Sequence, residues 1–238
     1  MLEGRVALIT GASRRAGIGY AVARRLAALG AHVLAHGWTP HDAAQPWGAE
    51  PSPPTEFAYV EADFGDPTAP ARVVDAAVDR FGRIDILVAN HARSGLGRLD
   101  ELTADELDAF LAENVRATLL LVRELAVRHD GGPGGRVVLL TSGQHLGPMA
   151  REVAYAVSKG ALQQATKTLA AELWPRGITV NCVNPGPTAT GWERTDPAAA
   201  GVRFGEPDDA ARLIAWLCTD DARWITGQTI DSEGGFRL

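Results

Sequence analysis

Short apolar runs alternate with longer amphipathic stretches along the chain. The first run, Val6 to Ile9, contains four consecutive apolar residues, as expected for a strand buried on both faces. A glycine-rich turn follows, and residues 20–29 form a helical pattern that ends at Gly30. His32 to Ala35 forms the next strand pattern. The sequence therefore predicts a strand–helix–strand unit with a glycine turn at its first junction.

The same alternation continues to the end of the chain. We predict further strands at residues 57–62, 84–89, 136–140, 178–183 and 228–231, and helices at residues 70–81, 103–129, 155–174 and 208–218. Thr103 is the expected N-cap of the second of these helices, and Glu106 completes a capping box. Strands that alternate with helices predict an α/β fold, in which a Rossmann-type, doubly wound parallel sheet of about seven strands carries helices on both faces. No repeat, charge block or linker divides the sequence, so we predict a single domain over residues 1–238.

Residues 39–54 interrupt this regular pattern. The segment contains five prolines, which makes a full helix unfavourable. We predict a surface loop with at most one helical turn. Trp38 and Trp47 frame the loop, and the sequence leaves open whether they pack or bind a ligand.

Composition restricts the possible function classes. Hydrophobic residues make up 46% of the 238 residues and charged residues 22%, as is usual for a globular protein in water. The net charge of -6 argues against a nucleic-acid-binding surface. Cys182 and Cys218 lie in apolar stretches and are interpreted as small buried residues rather than as a disulfide or metal ligands. With no recognisable signal peptide or membrane span, we expect a cytoplasmic protein without a membrane partner.

Polar residues and glycines follow several predicted strands. Ligands of parallel α/β sheets bind beyond the carboxyl ends of the strands, so these residues are expected to gather at one edge. They are Gly11, Asp63, Asn90, Ser142, Pro185 and Gly186.

Tyr155 and Lys159 are the strongest candidates for chemistry. Residues four apart lie on one face of a helix, so the hydroxyl and the ammonium can share the same space. A nearby cation favours the phenolate and is expected to lower the tyrosine pKa from its usual value near ~10. This would suit reversible carbonyl and alcohol chemistry. The alternative is a half-buried ring beside a solvated charge, which many helices carry.

Together these residues resemble the short-chain dehydrogenase/reductase family over essentially the whole chain. The shared features are the glycine turn, the strand-end residues, Asn114, Tyr155-x-x-x-Lys159, Asn184-Pro185-Gly186 and the tail at 231–235. The resemblance implies that Tyr155 is the general acid or base, that Lys159 lowers its pKa and binds the nicotinamide ribose, and that Ser142 orients the substrate oxygen. It implies that Asn114 holds a water that links Lys159 to solvent.

The resemblance also implies a set of cofactor-binding residues. Asp63 would accept a hydrogen bond from the adenine, or would serve only as a turn aspartate, and Asn90 would fix the fourth strand. The expected contacts with the dinucleotide are Gly11, Ser13, Arg14, Arg15, Gly17, Ile18, Gly19, Asp63, Phe64, Asn90, Tyr155, Lys159, Pro185, Gly186, Thr188 and Thr190.

Two departures from the family pattern stand out. Five residues separate Gly11 from Gly17, where most members have three, and His91-Ala92 replaces the usual Ala-Gly after Asn90. His91 could reach the mouth of the site, but such a histidine is more often packed or solvated.

The second strand indicates which dinucleotide binds. NAD enzymes usually carry an acidic residue at its end, and here no carboxylate occurs before Asp42. Arg14 and Arg15 lie in the glycine turn, where a guanidinium could bind a 2′-phosphate. We therefore predict NADP(H) over NAD(H).

The predicted activity is that of a carbonyl reductase or alcohol dehydrogenase acting on a small molecule, with 3-oxoacyl thioesters among the possible substrates. A non-catalytic nucleotide-binding regulator or scaffold is the alternative. An enoyl reductase is disfavoured by the close tyrosine–lysine spacing. We expect a short lid at 187–205, a homo-oligomer (tetramer or dimer), and pocket neighbours at His145, Leu146, Met149, Arg151 and Trp192.

Overall fold

A computed structural model describes residues 1–130, 134–191 and 203–236. Seven parallel strands form one sheet in the order β3-β2-β1-β4-β5-β6-β7. The strands are β1 (Val6–Ile9), β2 (His32–Gly37), β3 (Ala58–Glu61), β4 (Ile86–Ala89), β5 (Gly135–Leu140), β6 (Ile178–Asn184) and β7 (Thr229–Asp231). This confirms the predicted doubly wound parallel sheet.

Helices cover both faces of the sheet. They are α1 (Ile18–Ala28), α2 (Thr39–Ala43), α3 (Ala69–Phe81), α4 (Ala104–Phe110), α5 (Ala117–Arg128), α6 (Val153–Leu173) and α7 (Pro207–Leu217). One apolar core lies between the sheet and α3, α5 and α6, and the other lies between the sheet, α1 and α7. Most strands consist of buried residues only, and these residues are mainly apolar.

The long helix predicted over 103–129 is divided into three parts. Thr103 caps α4 by accepting a hydrogen bond from the Glu106 amide at 3.2 Å, as the sequence predicts. A π-helical segment (Leu111–Arg116) then separates α4 from α5. The hydrophobic pattern contains no signal for this change of winding, which brings Asn114 to a fully buried position.

The strand order reverses between β1 and β4. Strand β1 pairs with β2 on one side and with β4 on the other. Strands β2 and β3 therefore extend the sheet to one side of β1, and β4 to β7 extend it to the other. A crevice forms at such a reversal, outside the carboxyl ends of the strands. The glycine turn after β1 and the polar residues after β4 therefore face the same space.

Backbone hydrogen bonds join the two ends of the predicted lid (187–205). The Ala189 amide donates to the Gly205 carbonyl oxygen, and the Gly205 amide donates to Pro187, both at 2.8 Å. Residues 192–202, including the predicted pocket neighbour Trp192, lie outside the described residues. None of the helices in the described ranges is both long enough and apolar enough to cross a membrane.

Candidate active site

A cleft of about 570 Å³ lies along the carboxyl edge of the sheet. Its volume is within the usual range for a small-molecule site. Most of the predicted site residues line it: Gly11, Ser13, Arg14, Gly17, Ile18, Asp63, Phe64, Asn90, Ser142, Tyr155, Lys159, Pro185, Gly186, Thr188 and Thr190. Arg15, Gly19 and Asn114 are not among the residues that line it. The glycine turn and the tyrosine–lysine pair therefore belong to one continuous site.

Ser142 and Tyr155 meet at one end of the cleft. Ser142 follows β5, Tyr155 lies in the first turn of α6, and both residues line the cleft. Burial raises the pKa of Tyr155 to about 12, and the Glu152 carboxylate adds to this effect. The Ser142 side chain lowers the pKa of Tyr155 but does not offset burial. The phenol is therefore protonated at neutral pH, whereas the sequence predicted a lowered pKa.

Lys159 lies one helical turn beyond Tyr155 and is 2% exposed. Its Nζ lies 5.8 Å from the centre of the Tyr155 ring and donates a hydrogen bond to the Leu140 carbonyl oxygen at 3.0 Å. Burial lowers the pKa of the lysine to about 8. The ammonium is thus close to the phenol but directed at the end of β5, which explains why it does not depress the tyrosine pKa in this arrangement.

The Asn114 side chain is held by three hydrogen bonds to other groups of the protein. Its Oδ1 accepts from the Arg93 amide at 2.7 Å, and its Nδ2 donates to the Arg93 carbonyl oxygen and to Ser158 Oγ, both at 2.9 Å. Ser158 Oγ in turn donates to the Tyr155 carbonyl oxygen at 2.8 Å. The side chain therefore joins the loop after β4 to the helix that carries Tyr155 and Lys159.

The glycine turn is shaped by close backbone contacts. Gly11 has a φ of +66°, and a Cβ there would lie 2.8 Å from the His91 Cα. A Cβ on Gly19 would lie 2.4 Å from the Gly11 carbonyl oxygen. Helix α1 has Gly17 at its N-cap, without a side-chain cap or an acidic residue in its first turn. Its N-terminus is consequently suited to an anion such as a pyrophosphate.

The two arginines of the turn occupy different environments. The Arg14 guanidinium lies 4.1 Å from the Trp47 ring centre and donates to the Thr190 carbonyl oxygen. Arg15 instead pairs with Glu50 at 3.2 Å, in the proline-rich loop. Of the pair, only Arg14 lines the cleft.

The residues after β3 and β4 also take defined positions. Asp63 accepts from the Gly65 amide at 2.8 Å, as a turn aspartate does, and its side chain still lines the cleft. Asn90 donates to the carbonyl oxygens of Thr10 and Gly11 at 3.0 and 2.9 Å. Asn90 thereby fixes the end of β4 to the glycine turn.

The residues after β6 close the other side of the cleft. Gly186 has a φ of +66°, and a Cβ there would lie 2.4 Å from Glu233 Cβ. The Thr188 hydroxyl donates to the Gly186 carbonyl oxygen at 3.1 Å. Of the predicted pocket neighbours, Met149 lines the cleft, whereas His145 pairs with Asp231 at 3.0 Å.

Several lining residues are absent from the predicted set of site residues, although the sequence left a place at the site open for His91, Trp38 and Trp47. They are His36, Gly37, Trp38, His41, Asp42, Trp47, Glu152, Phe204 and Glu233, with residues 91–96. Asp42 is buried and its Oδ2 accepts a hydrogen bond from the Ser13 hydroxyl. Two features of the sequence could have indicated the lining residues after β2. Asp42 is the first carboxylate after that strand, and Trp38 and Trp47 flank the loop that follows it.

The geometry suits a nicotinamide dinucleotide. The cleft offers an uncapped helix N-terminus at one end and hydroxyl and ammonium groups at the other, so its residues fit the pyrophosphate and the reacting ring of such a group. The described residues contain no group of three or more His, Cys, Asp or Glu side chains placed to hold a metal ion.

Comparison with known proteins identifies the family. The model of the family described as enoyl-(acyl carrier protein) reductase matches residues 11–237. The chain is 40% identical to the uncharacterized oxidoreductase YjdA of Bacillus subtilis, over 98% of this chain and 96% of that relative.

Solved structures of similar proteins support the same family assignment. A short-chain dehydrogenase from Burkholderia cenocepacia, in complex with NADP, has a TM-score of 0.87 and 37% identity over 100% of this chain and 99% of that one. A blue fluorescent protein from a metagenomic library, in complex with NADPH, has a TM-score of 0.85 and 31% identity over 100% and 99%. The chain belongs to the short-chain dehydrogenase/reductase family of oxidoreductases.

Proposed function

We propose that this protein is an NADP(H)-dependent oxidoreductase that interconverts a carbonyl compound and a secondary alcohol. The observation that carries the proposal is that Ser142, Tyr155 and Lys159 line the cleft that also contains the glycine turn. The bound dinucleotide would supply or accept the hydride. The protein's own groups would place the substrate oxygen and move its proton.

Each hydroxyl has a distinct role in this reaction. Ser142 and Tyr155 would both donate to the substrate oxygen as it gains negative charge. Tyr155 would then transfer its proton to that oxygen, and Lys159 would stabilise the phenolate that remains. Because the pKa of Tyr155 is about 12, the proton is in place at neutral pH. The phenol can therefore protonate a substrate oxygen without first taking up a proton.

The preference for NADP(H) has three supports. No carboxylate occupies the end of β2, where an NAD enzyme usually has one. Arg14 lines the cleft near the start of α1. Two similar proteins were solved with NADP or NADPH. Asp42 also lines this cleft, and its carboxylate would repel a 2′-phosphate bound nearby.

A 3-oxoacyl thioester is the substrate that we propose to test first. The matched family is described by its action on acyl carrier protein, which makes a thioester the natural starting point. The spacing of Tyr155 and Lys159 supports carbonyl reduction over reduction of an enoyl double bond.

We also propose a cytoplasmic homo-oligomer, a tetramer or dimer assembled through α5 and α6. Exposed apolar residues on these helices support it: Leu119, Val127, Val153 and Val157. Light scattering after chromatography should show an oligomer that Val157→Asp weakens, and a monomeric wild-type protein would contradict this assembly.

The function is tested by oxidation of NADPH and NADH, in parallel, against 3-oxoacyl thioesters, simple ketones, quinones and keto sugars. We expect turnover that prefers NADPH. Tight NADPH binding without turnover of any substrate would favour a non-catalytic regulator or scaffold instead. Failure to bind either nucleotide would contradict the assignment of the glycine turn.

A further inference from the structure

His91 joins the glycine turn to the π-helical segment. Its Nδ1 lies 2.7 Å from Thr10 Oγ1, and its Nε2 lies 2.9 Å from the Glu113 carbonyl oxygen. A carbonyl oxygen can only accept, so Nε2 carries the ring proton and Nδ1 accepts from the Thr10 hydroxyl. The alternative acceptor for that hydroxyl, the Val88 carbonyl oxygen, is farther away at 3.4 Å. Both ring nitrogens of His91 therefore have a defined partner.

The surroundings keep this imidazole neutral. Its ring lies 4.4 Å from the Phe64 ring and 6.4 Å from that of His36, centre to centre. Burial, with a smaller contribution from His36, lowers the pKa of His91 to about 3. The ring thus keeps one donor and one acceptor at any pH near neutrality.

Further hydrogen bonds connect the π-helical segment to α6, the helix that carries Tyr155 and Lys159. Asn114 follows Glu113 directly, and its side chain bonds to Ser158, which bonds to the Tyr155 carbonyl oxygen. A displaced Glu113 backbone would carry Asn114 with it. A continuous path therefore connects the turn that faces the dinucleotide with the helix that carries the proton donor.

We propose that His91 is a positioning residue that fixes the π-helical segment, and with it Asn114, against the glycine turn. Its two ring nitrogens are occupied by Thr10 and Glu113, so its effect on the reaction is indirect. It sets the relative placement of the dinucleotide-binding turn and of Tyr155 through Glu113 and Asn114. The expected effect on turnover rests on the proposed function, whereas the expected effect on local structure does not.

Two variants of similar volume separate positioning from packing. His91→Gln keeps an amide donor and an acceptor, and His91→Leu has neither. In His91→Leu we expect kcat, per NADPH-binding site, to fall about tenfold, with the dissociation constant of NADPH changed less than about threefold, since small misplacements cost catalysis more than binding. His91→Gln should keep at least half of the wild-type kcat. Equal losses in both variants, or no loss in His91→Leu, would overturn the proposal.

Amide hydrogen exchange supplies a readout without turnover. The Arg93 amide donates to Asn114 Oδ1, so its exchange reports the placement of Asn114. It should exchange faster in His91→Leu and at the wild-type rate in His91→Gln, while exchange in β2 stays constant. Unchanged exchange at Arg93 in His91→Leu would overturn the proposal even if the protein is an active reductase. Faster exchange there would support it even if every carbonyl fails as a substrate.

A third measurement uses only the wild-type protein, so it can be made even if His91→Leu does not fold. Long-range ¹H–¹⁵N NMR of the histidine rings should show His91 neutral at pH 7, with its proton on Nε2. A proton on Nδ1, or a charged ring, would overturn the proposal.

Discussion

Lys159 donates a hydrogen bond from a buried Nζ to the Leu140 carbonyl oxygen, 3.0 Å away. The contact binds α6 to the end of β5, but it leaves an ammonium in surroundings that lower its pKa to about 8. Such a buried charge is expected to reduce the stability of the folded protein.

Lys159→Met should therefore stabilise the nucleotide-free protein. The lysine pKa is lowered from 10.5, and this shift corresponds to about 3 kcal/mol of unfolding free energy, partly offset by the lost hydrogen bond. We expect a net gain of about 2 kcal/mol at pH 7 in urea unfolding, with loss of activity. Lys167→Met, an exposed change on the same helix, should leave stability within about 0.5 kcal/mol.

The lowered pKa of Lys159 also determines how the difference in unfolding free energy between wild type and Lys159→Met depends on pH. Below about pH 8 the folded state bears the full cost of the charged lysine. Between about 8 and 10.5 the unfolded state binds more protons than the folded state, so wild-type stability rises with pH relative to the variant. The gap between the two proteins should close across this window. A gap that is constant with pH would show that Lys159 is not responsible for it.

Arg14 and Arg15 should differ in their importance for NADPH. Arg14 lines the cleft, whereas Arg15 pairs with Glu50 outside it. Arg14→Ala should weaken NADPH binding about tenfold, the effect of one lost charge-assisted hydrogen bond, and should leave NADH binding unchanged. Arg15→Ala should stay within about twofold for both nucleotides, as measured by fluorescence titration. The reverse order of effects would contradict the assignment of the 2′-phosphate site to Arg14.

Asp42 should set the strength of the nucleotide preference. Its carboxylate lies in the cleft, hydrogen-bonded to Ser13, and would repel a nearby 2′-phosphate. Asp42→Asn should raise NADPH affinity about threefold relative to NADH, because a like charge is removed while the shape is kept. If the variant instead loses NADH binding and NADPH binding does not change, Asp42 holds a ribose hydroxyl and the NADP(H) preference is wrong.

Gly19 is required for close packing of α1 on the glycine turn. A Cβ there would lie 2.4 Å from the Gly11 carbonyl oxygen and 2.7 Å from Asn90 Nδ2. Gly19→Ala should destabilise the protein by about 1–3 kcal/mol and weaken nucleotide binding. Gly97→Ala, whose nearest atom would be 3.9 Å away, should change stability by less than about 0.5 kcal/mol in thermal unfolding.

The sheet was predictable because the buried strands are short, mainly apolar runs, which in β1 and β4 are uninterrupted. Strand β1 has the predicted limits, and the last strand is one residue shorter than predicted. Tyr155 and Lys159 were also predictable, since their spacing places both on one face of a helix.

Features that depend on distant contacts were not predictable. The π-helical segment around Asn114 changes only the winding of a helix whose polarity pattern is unbroken, and the bonds of Asn114 go to Arg93 and Ser158. Arg15 finds its partner 35 residues away in an irregular loop. The pKa of Tyr155 is raised mainly because the hydroxyl is buried. Burial depends on the folded structure and cannot be predicted from a local sequence motif.

Transfer of deuterium from NADPH labelled at the transferred position tests the central claim most directly. In a single turnover with a carbonyl substrate, the wild-type protein should deliver the label to the product carbon. Tyr155→Phe should bind NADPH within about threefold of wild type and lower the transfer rate at least about a hundredfold, since it keeps the ring and loses the proton. Transfer at the wild-type rate in Tyr155→Phe would contradict the assignment of Tyr155 as the proton donor.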